Sequence, residues 1–308
     1  MGARARRTPP EAMPAALRAM LDGAAATTGS RGPGAKLRFR AIFISDIHLG
    51  TPGCRADALL EFLRRTESDY LYLVGDIVDG WQLRRRWFWH QSHNDVIQKL
   101  LRKARKGTRV VYIPGNHDEA ARHYLGFALG DIVIQDEAIH TTADGKRLLV
   151  IHGDLFDAVV QFTPWLALLI DFLYSFLLKL NRHVNALRAH LGLRYWSLAK
   201  FVNHRVKNAV NYIVAFEEAL AREARQRGFD GVVCGHIHKA ELRPIDGTIY
   251  CNDGDWVESL TALVETLTGE LRIVHWHEIA GALPAADDED ANAMADAAPA
   301  ATASAHQY

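Results

Sequence analysis

The sequence predicts an α/β protein in which two β-sheets pack together and helices cover their outer faces. The first observation is alternation in the first half of the chain. Ala41–Ile44, Tyr70–Val74 and Arg109–Ile113 read as short buried strands, and Ala56–Arg65 and Val96–Lys106 as the helices between them. Strand, helix, strand at these spacings implies parallel pairing through right-handed crossovers. The second observation is a run of strands in the second half: Ile132–Ile134, Ala138–Thr141, Leu148–Ile151, Gly231–Cys234, Thr248–Cys251, Leu260–Thr266 and Leu271–Trp276. Asp144-Gly145 is the hairpin turn leading into Leu148, and Thr268-Gly269-Glu270 joins the last two strands. The third is the placement of five polar segments, each ending an apolar run: Ser45-Asp46-Ile47-His48, Gly75-Asp76, Gly115-Asn116-His117-Asp118, His152-Gly153-Asp154 and Gly235-His236-Ile237-His238. Ligands of parallel α/β sheets gather at the carboxyl ends of strands, so the reading that places the strands also places a site.

The 308 residues suffice for a large core in one or two domains. The 36 Lys and Arg balance the 36 Asp and Glu, so no global field favours nucleic acid or a membrane. Cys54, Cys234 and Cys251 lack a paired spacing, which fits a reducing cytoplasm rather than a disulfide framework. No apolar h-region follows the Arg-rich start, so no secretory signal is expected. Residues 1–37, rich in Ala, Arg, Pro and Gly, and residues 281–308, Ala-rich and acidic, are expected to be disordered tails around a domain at 38–280.

Residues 159–227 differ in texture: they carry no strand signal and read as long helices interrupting that domain. Gln161–Leu180 is apolar almost all round, broken by Pro164, Asp171 and Ser175, and falls short of the about 20 clean apolar residues a span needs. The following Lys179–Lys207 is basic. Two readings stay open: a buried helical hairpin with a solvated face, or a cap that holds an acyl chain or touches the membrane interface.

The five segments hold the chemistry. Asp46 and His48 are one residue apart just past a strand, where extended backbone puts alternate side chains on one side. Asp76 has two carboxylate oxygens and can bridge two ions. Asn116 offers a neutral amide oxygen. His117, beside Asp118, is a His that a neighbouring carboxylate can orient, suited to stabilising a phosphoryl oxygen or protonating a leaving group. His152 ends a strand; His236 and His238 alternate and either converge on one ion or diverge to two. Oxygen donors with imidazoles suit Mn, Fe or Zn, and one bridging carboxylate with partners on each side is what a two-metal phosphoester hydrolase needs.

Trp81, Arg84, Arg85, Arg86, Trp87, Trp89 and His90 form a basic-aromatic run. Guanidiniums match phosphate oxygens and indoles stack on a base or sugar, although a surface helix anchored by Trp is an equal reading. The run is too short, and the net charge too low, for a nucleic-acid interface. Trp81, Arg84, Asn94, Arg122 and Lys239 are the substrate-binding candidates near the motifs.

With D-x-H, G-D, G-N-H-D, an isolated His and G-H-x-H in this order over about residues 40–278, the chain resembles the calcineurin-like metallophosphoesterases. The resemblance implies a four-layer α/β/β/α sandwich with a helical insertion. It implies one ion on Asp46, His48, Asp76 and His238, and a second on Asp76, Asn116, His152 and His236, with manganese preferred over iron or zinc. His117 would contact the phosphate with help from Asp118, and a hydroxide bridging the ions would attack phosphorus in line. Within that family Gly75–Trp81, His152–Asp154 and Gly254–Trp256 look most like the UDP-2,3-diacylglucosamine diphosphatases of the lipid A pathway. The best-known members of that group carry Arg where this chain has His117, which makes it a divergent branch. The implied reaction releases UMP and 2,3-diacylglucosamine 1-phosphate, in the cytoplasm or peripherally on the inner membrane. The implied partners are a nucleotide-linked or lipid phosphate and membrane lipid, not nucleic acid. The alternatives are hydrolysis of another nucleotide-linked or lipid phosphoester, and a membrane-associated binding module with a vestigial metal site.

Overall fold

The structure, a computed structural model, describes residues 36–157 and 198–283. The expected tails, apart from their innermost residues, and the apolar run Gln161–Leu180 lie outside the described residues.

β1 (Leu37–Ile44), β2 (Thr66–Val74) and β3 (Arg109–Ile113) pair in parallel. Between them lie α1 (Ala56–Arg65), the short α2 (Gly80–Arg85) and α3 (Gln91–Arg105). β1 and β2 begin earlier than the apolar runs suggest. Leu37 and Phe39 are buried, while Arg38 pairs with Asp69 at 2.8 Å and Arg40 with Glu265 at 2.9 Å. Alternate charged positions hide such strand starts from a search for continuous apolar sequence.

β4 (Ala128–Leu129) and β5 (Ile132–Ile134) follow, then β6 (Ala138–Thr141), β7 (Arg147–Val150), α4 (Leu198–Gln226), β8 (Gly231–Cys234), β9 (Glu241–Ile245), β10 (Thr248–Asn252), β11 (Thr261–Glu265) and β12 (Leu271–His275). The sheets run β12-β11-β1-β2-β3-β5-β4 and β6-β7-β8-β10-β9. The sheets do not follow the two halves of the chain. β5 joins β3 in parallel, and β11 and β12 close the other edge of the first sheet against β1. All five β11 residues are buried, and β11 satisfies the backbone edge that β1 would otherwise leave open. β9, which sequence pattern did not reveal, contains Pro244 and three charged or proline positions in five; it is an edge strand, where Pro is tolerated.

Four layers result. On β1, Ile42 and Ile44 face the outer helices, packing with Leu59, Phe62, Val96 and Leu100. Ala41 and Phe43 face inward and meet Leu148, Val150 and Val233 of the second sheet. α4 covers the far side through Phe216, Leu220, Ala221 and Ala224. The expected insertion 159–227 therefore includes, in its last turns, a helix of the sandwich itself. No described helix is long and apolar enough to cross a membrane.

Lys103 of α3 is 8% exposed and donates to the Thr66 carbonyl at 2.6 Å. Burial, and then the like charge of Lys99, push its pKa down to about 7. Between that value and an unfolded value near 10.5 the unfolded chain holds a proton the folded chain has released, so this group makes stability rise with pH there. Below the window the buried charge is fully present and opposes folding. Lys103→Met is therefore expected to raise the melting temperature at pH 6, with the gain shrinking as pH approaches 10. An equal gain at both pH values would show that the ammonium is not the cause.

Candidate metal centre

The loops that leave the carboxyl ends of β1, β2, β3, β7 and β8 converge. Their backbones are tied to one another: Asp46 N donates to the Gly75 carbonyl (3.1 Å), His48 N to Asp76 (2.9 Å), Gly235 N to His152 (3.2 Å) and Gly80 N to His117 (2.9 Å). Asp46, His48, Asp76, His236 and His238 all have left-handed backbone, with φ of 49, 52, 54, 71 and 52°. They are five of the seven non-glycine residues with positive φ among the described residues. Such conformations cost on the order of 1 kcal/mol or more each and persist where surrounding structure demands them. This corrects the expectation of extended alternation at Asp46 and His48; a tight left-handed turn at each residue aims the side chains.

The motif glycines make room for those side chains. A methyl group on Gly115 would come within 2.7 Å of His152 Nε2, and one on Gly235 within 2.5 Å of Asp46 Oδ2 and 2.6 Å of Ser45 Cβ. Gly235→Ala is expected to leave the fold intact but lower metal content and activity at least about 10-fold, the scale seen when a ligand's support is displaced. Full metal content by elemental analysis would contradict this.

Three donor groups form among the described residues, Asp46 with His48 and His238, Asp76 with His152 and His236, and His48 with Asp79 and His117; within each the nearest donor atoms lie no more than 4.8 Å apart, and the first two contain the residues expected to hold ions. Asp76, 2% exposed, stands between them. Its Oδ1 is 3.5 Å from His152 Nε2, and its Oδ2 is 3.9 Å from both His48 Nε2 and His117 Nε2. Asp46 Oδ1 lies 3.0 Å from His238 Nε2. His152 Nδ1 donates to the Val74 carbonyl at 2.8 Å, which leaves the Nε2 lone pair directed into the site. That Nε2 and Asn116 Oδ1 are buried without a hydrogen-bond partner.

The electrostatics point the same way. Burial alone would hold the Asp46 and Asp76 carboxyls protonated, but the surrounding imidazoles outweigh it and keep both below the usual carboxylate range. Burial works against charge on His152 and His238, yet Asp76 and Asp46 hold both rings above their ordinary value, His238 at about 9. A cavity that raises imidazole pKa values against burial has negative potential. With two buried donors lacking partners and a mixed carboxylate, amide and imidazole set, it fits divalent cations.

His117 does not depend on Asp118. Its Nδ1 lies 3.0 Å from Asp79 Oδ2, which also faces His48 Nδ1 at 3.2 Å. Asp118 is buried and accepts from Tyr112 OH (2.6 Å), Ile77 N (2.8 Å) and Gly115 N (2.5 Å). Backbone turns its carboxylate into the loop, so it shapes the Gly75 and Gly115 turns rather than the His117 ring. Burial opposes charge on His117, but Asp79 and Asp76 hold its pKa above the ordinary value.

Asp79 thus lies within the site although its sequence position does not single it out. Its other oxygen accepts from Gln82 N at 2.8 Å and caps α2, and that helix-start pattern was the one signal available. Asp157, 2.9 Å from His236 Nε2, and Asp253 had no local signal. Ser45 Oγ lies 2.5 Å from Asp46 Oδ2 and 2.6 Å from Asp253 Oδ1. One hydroxyl proton serves one of these contacts; burial pushes the Asp253 carboxyl well up, so its own proton serves the other.

The substrate-binding candidates divide. The Trp81 ring is 4.4 Å from His117 and 40% exposed, and Arg84 is exposed on the same helix. Asn94 Oδ1 instead accepts from Trp89 Nε1 at 2.8 Å. Arg122 donates to both oxygens of Asp154 at 2.8 Å and to the Pro114 carbonyl, pinning the His152 loop. Lys239 pairs with buried Glu217 at 3.2 Å and with Glu241 at 3.0 Å.

Residues 39–240 match the calcineurin-like phosphoesterase family. The chain belongs to that family. It is a metal-dependent phosphoesterase, and divalent ions are its cofactors. A UDP-2,3-diacylglucosamine hydrolase of Blochmanniella pennsylvanica is 26% identical over 220 residues, covering 66% of this chain and 81% of that protein. One from Pseudomonas aeruginosa is 27% identical over 214 residues, covering 67% and 84%. A solved archaeal phosphodiesterase aligns at 14% identity with a TM-score of 0.40, over 76% of this chain and 98% of that one.

Proposed function

We propose that this phosphoesterase hydrolyses the pyrophosphate of UDP-2,3-diacylglucosamine, releasing UMP and 2,3-diacylglucosamine 1-phosphate. The observation that carries a two-metal reading is Asp76, whose two oxygens face two separate donor groups. Asp46, His48, Asp76 and His238 would hold one ion, and Asp76, Asn116, His152 and His236 the other. When bound, the ions supply positive charge at the phosphoryl oxygens and a water of lowered pKa; manganese is the ion we favour for this donor set. His117 hydrogen-bonds the phosphoryl or leaving oxygen through Nε2, and Asp79 accepts from its Nδ1 and keeps the ring turned inward. Trp81, tilted 36° against His117 and 40% exposed, offers a face to the uracil or sugar, and Arg84 one turn on offers a guanidinium to phosphate. The names of the relatives supply the acylated nucleotide sugar. Such a substrate resides in a bilayer, so the enzyme would work peripherally at the cytoplasmic face of the inner membrane.

The deciding experiment assays the manganese-loaded protein on UDP-2,3-diacylglucosamine, on UDP-sugars without acyl chains and on a chromogenic phosphodiester, with Asp46→Ala as control. UMP release confined to the acylated substrate and lost in the control supports the proposal. Metal-dependent cleavage of the other esters alone would assign the chain another phosphoester.

A further inference from the structure

Residues 80–94 carry Arg84, Arg85 and Arg86 in succession and no Asp or Glu. All three arginines are exposed, and their guanidiniums have no hydrogen-bond or ion-pair partner among the described residues. Arg40, Arg122, Arg227 and Arg243, by contrast, are each committed to a carboxylate. Trp87 follows at once. It is 74% exposed, more than any other large apolar side chain among the described residues. Its ring centroid lies 6.2 Å from that of Trp89, which packs on the outer core and donates its Nε1–H to Asn94 Oδ1 at 2.8 Å. The anchored indole supports the one presented to solvent.

α2 holds this surface at the mouth of the metal centre. Asp79 N donates to the Leu49 carbonyl at 2.8 Å, and Gly80 N to the His117 carbonyl at 2.9 Å. Leu83 lies over Gly50, where a methyl group would come within 2.8 Å of Leu83 Cγ. Trp81, Arg84 and Arg85 share one helix face by their spacing, and the Trp81 ring is the one beside His117.

A single exposed indole needs no explanation. An indole adjoining three unpartnered guanidiniums is a different surface, because it is apolar enough to enter a headgroup layer and positive enough to be drawn to one. We propose that Arg84, Arg85, Arg86 and Trp87 form a docking surface for an anionic lipid bilayer. Near such a surface each guanidinium strengthens binding about 5-fold, and the attraction fades over a Debye length of about 8 Å. Cations and anions balance over the whole chain, 36 of each, so the attraction belongs to this surface and not to a global field. One short run of three arginines would neutralise few phosphates of a nucleic acid, which needs a longer basic track. The purpose of docking rests on the lipid-linked substrate proposed above. Such a substrate would leave the bilayer only far enough to bring its pyrophosphate to His117.

The test co-sediments the metal-loaded full-length protein with vesicles of phosphatidylglycerol and phosphatidylcholine, and with phosphatidylcholine vesicles alone. The variants are Arg85→Gln/Arg86→Gln and Trp87→Ser. The expected result is salt-sensitive binding to the anionic vesicles only, at least about 10-fold weaker in the double variant and weakened in Trp87→Ser. Hydrolysis of a soluble chromogenic phosphodiester should be unchanged in both, which shows that fold and metal centre are intact. The vesicles hold no nucleotide, so the result does not depend on the substrate. UMP release from detergent-dispersed UDP-2,3-diacylglucosamine without vesicle binding would overturn the docking and leave the proposed function standing; variant-sensitive vesicle binding without UMP release would do the reverse. Equal vesicle binding by the wild type and both variants, or binding to phosphatidylcholine alone, would also overturn the docking. So would variant-sensitive capture of a single-stranded oligonucleotide without vesicle binding.

Discussion

Asp76→Ala is expected to abolish metal-dependent hydrolysis, lowering kcat/KM by about 10³-fold or more on acylated and chromogenic substrates alike. The reason is position. One carboxylate presents Oδ1 to His152 and Oδ2 to His48 and His117, and its Oδ1 also accepts from His117 N at 2.9 Å. Removing it takes a donor from both groups and releases the loop that carries His117. It also removes the carboxylate that does most to raise the His152 pKa, so the cavity becomes less attractive to cations. Elemental analysis should show both ions depleted. Retention of two ions per chain with wild-type turnover would refute the bridging assignment, whereas loss of one ion alone would mean that the donor groups are independent.

Asp79→Ala should reduce kcat by about 10²-fold with a smaller effect on KM, because a carboxylate supporting a ligand or phosphate-contacting imidazole is worth that much. Asp79 has two separable duties. Its Oδ1 caps α2 through Gln82 N, and its Oδ2 faces the Nδ1 atoms of His48 and His117. Asp79→Asn preserves an oxygen for the cap but not the full carboxylate between the two rings. The Ala variant should lose about 1 kcal/mol of stability with the cap, and the Asn variant little. If Asn restores both the melting temperature and the turnover, Asp79 is a helix cap and no more. If Asn restores the melting temperature but not turnover, the carboxylate positions the rings. Burial favours a protonated Asp79, and the hydrogen bonds to His117 and His48 outweigh it and hold the carboxyl below its usual range, as that second duty requires.

The division between legible and illegible follows the range of the forces involved. The placement of Asp46, His48, Asp76, Asn116, His117, His152, His236 and His238 at strand ends was readable, because each follows a strand of local apolar pattern; that they hold ions or contact phosphate is what we propose. Asp118 was readable as a residue but not as a role. Adjacency suggested that it supports His117, whereas the turn directs its carboxylate to Tyr112 OH and the backbone of Ile77 and Gly115. Arg122 and Lys239 were assigned to substrate by sequence proximity, and the fold gives them Asp154 and Glu217. A free cation and a cation committed to a carboxylate more than twenty residues away look alike in a linear chain.

By itself the sequence determined the α/β class, the parallel core of β1, β2 and β3, and the set of donors at their carboxyl ends. Those features depend on periodicity and residue chemistry within a few positions. Tertiary structure alone decided that β5, β11 and β12 belong to the first sheet, since edge pairing is a contact between distant segments that leaves no local mark. It alone decided that five of the site residues adopt left-handed backbone, a strain tolerated because the loops are bonded to one another. It also decided that Asp79, lying in one loop, serves imidazoles from two others, because only the folded chain brings three strand ends within hydrogen-bonding distance.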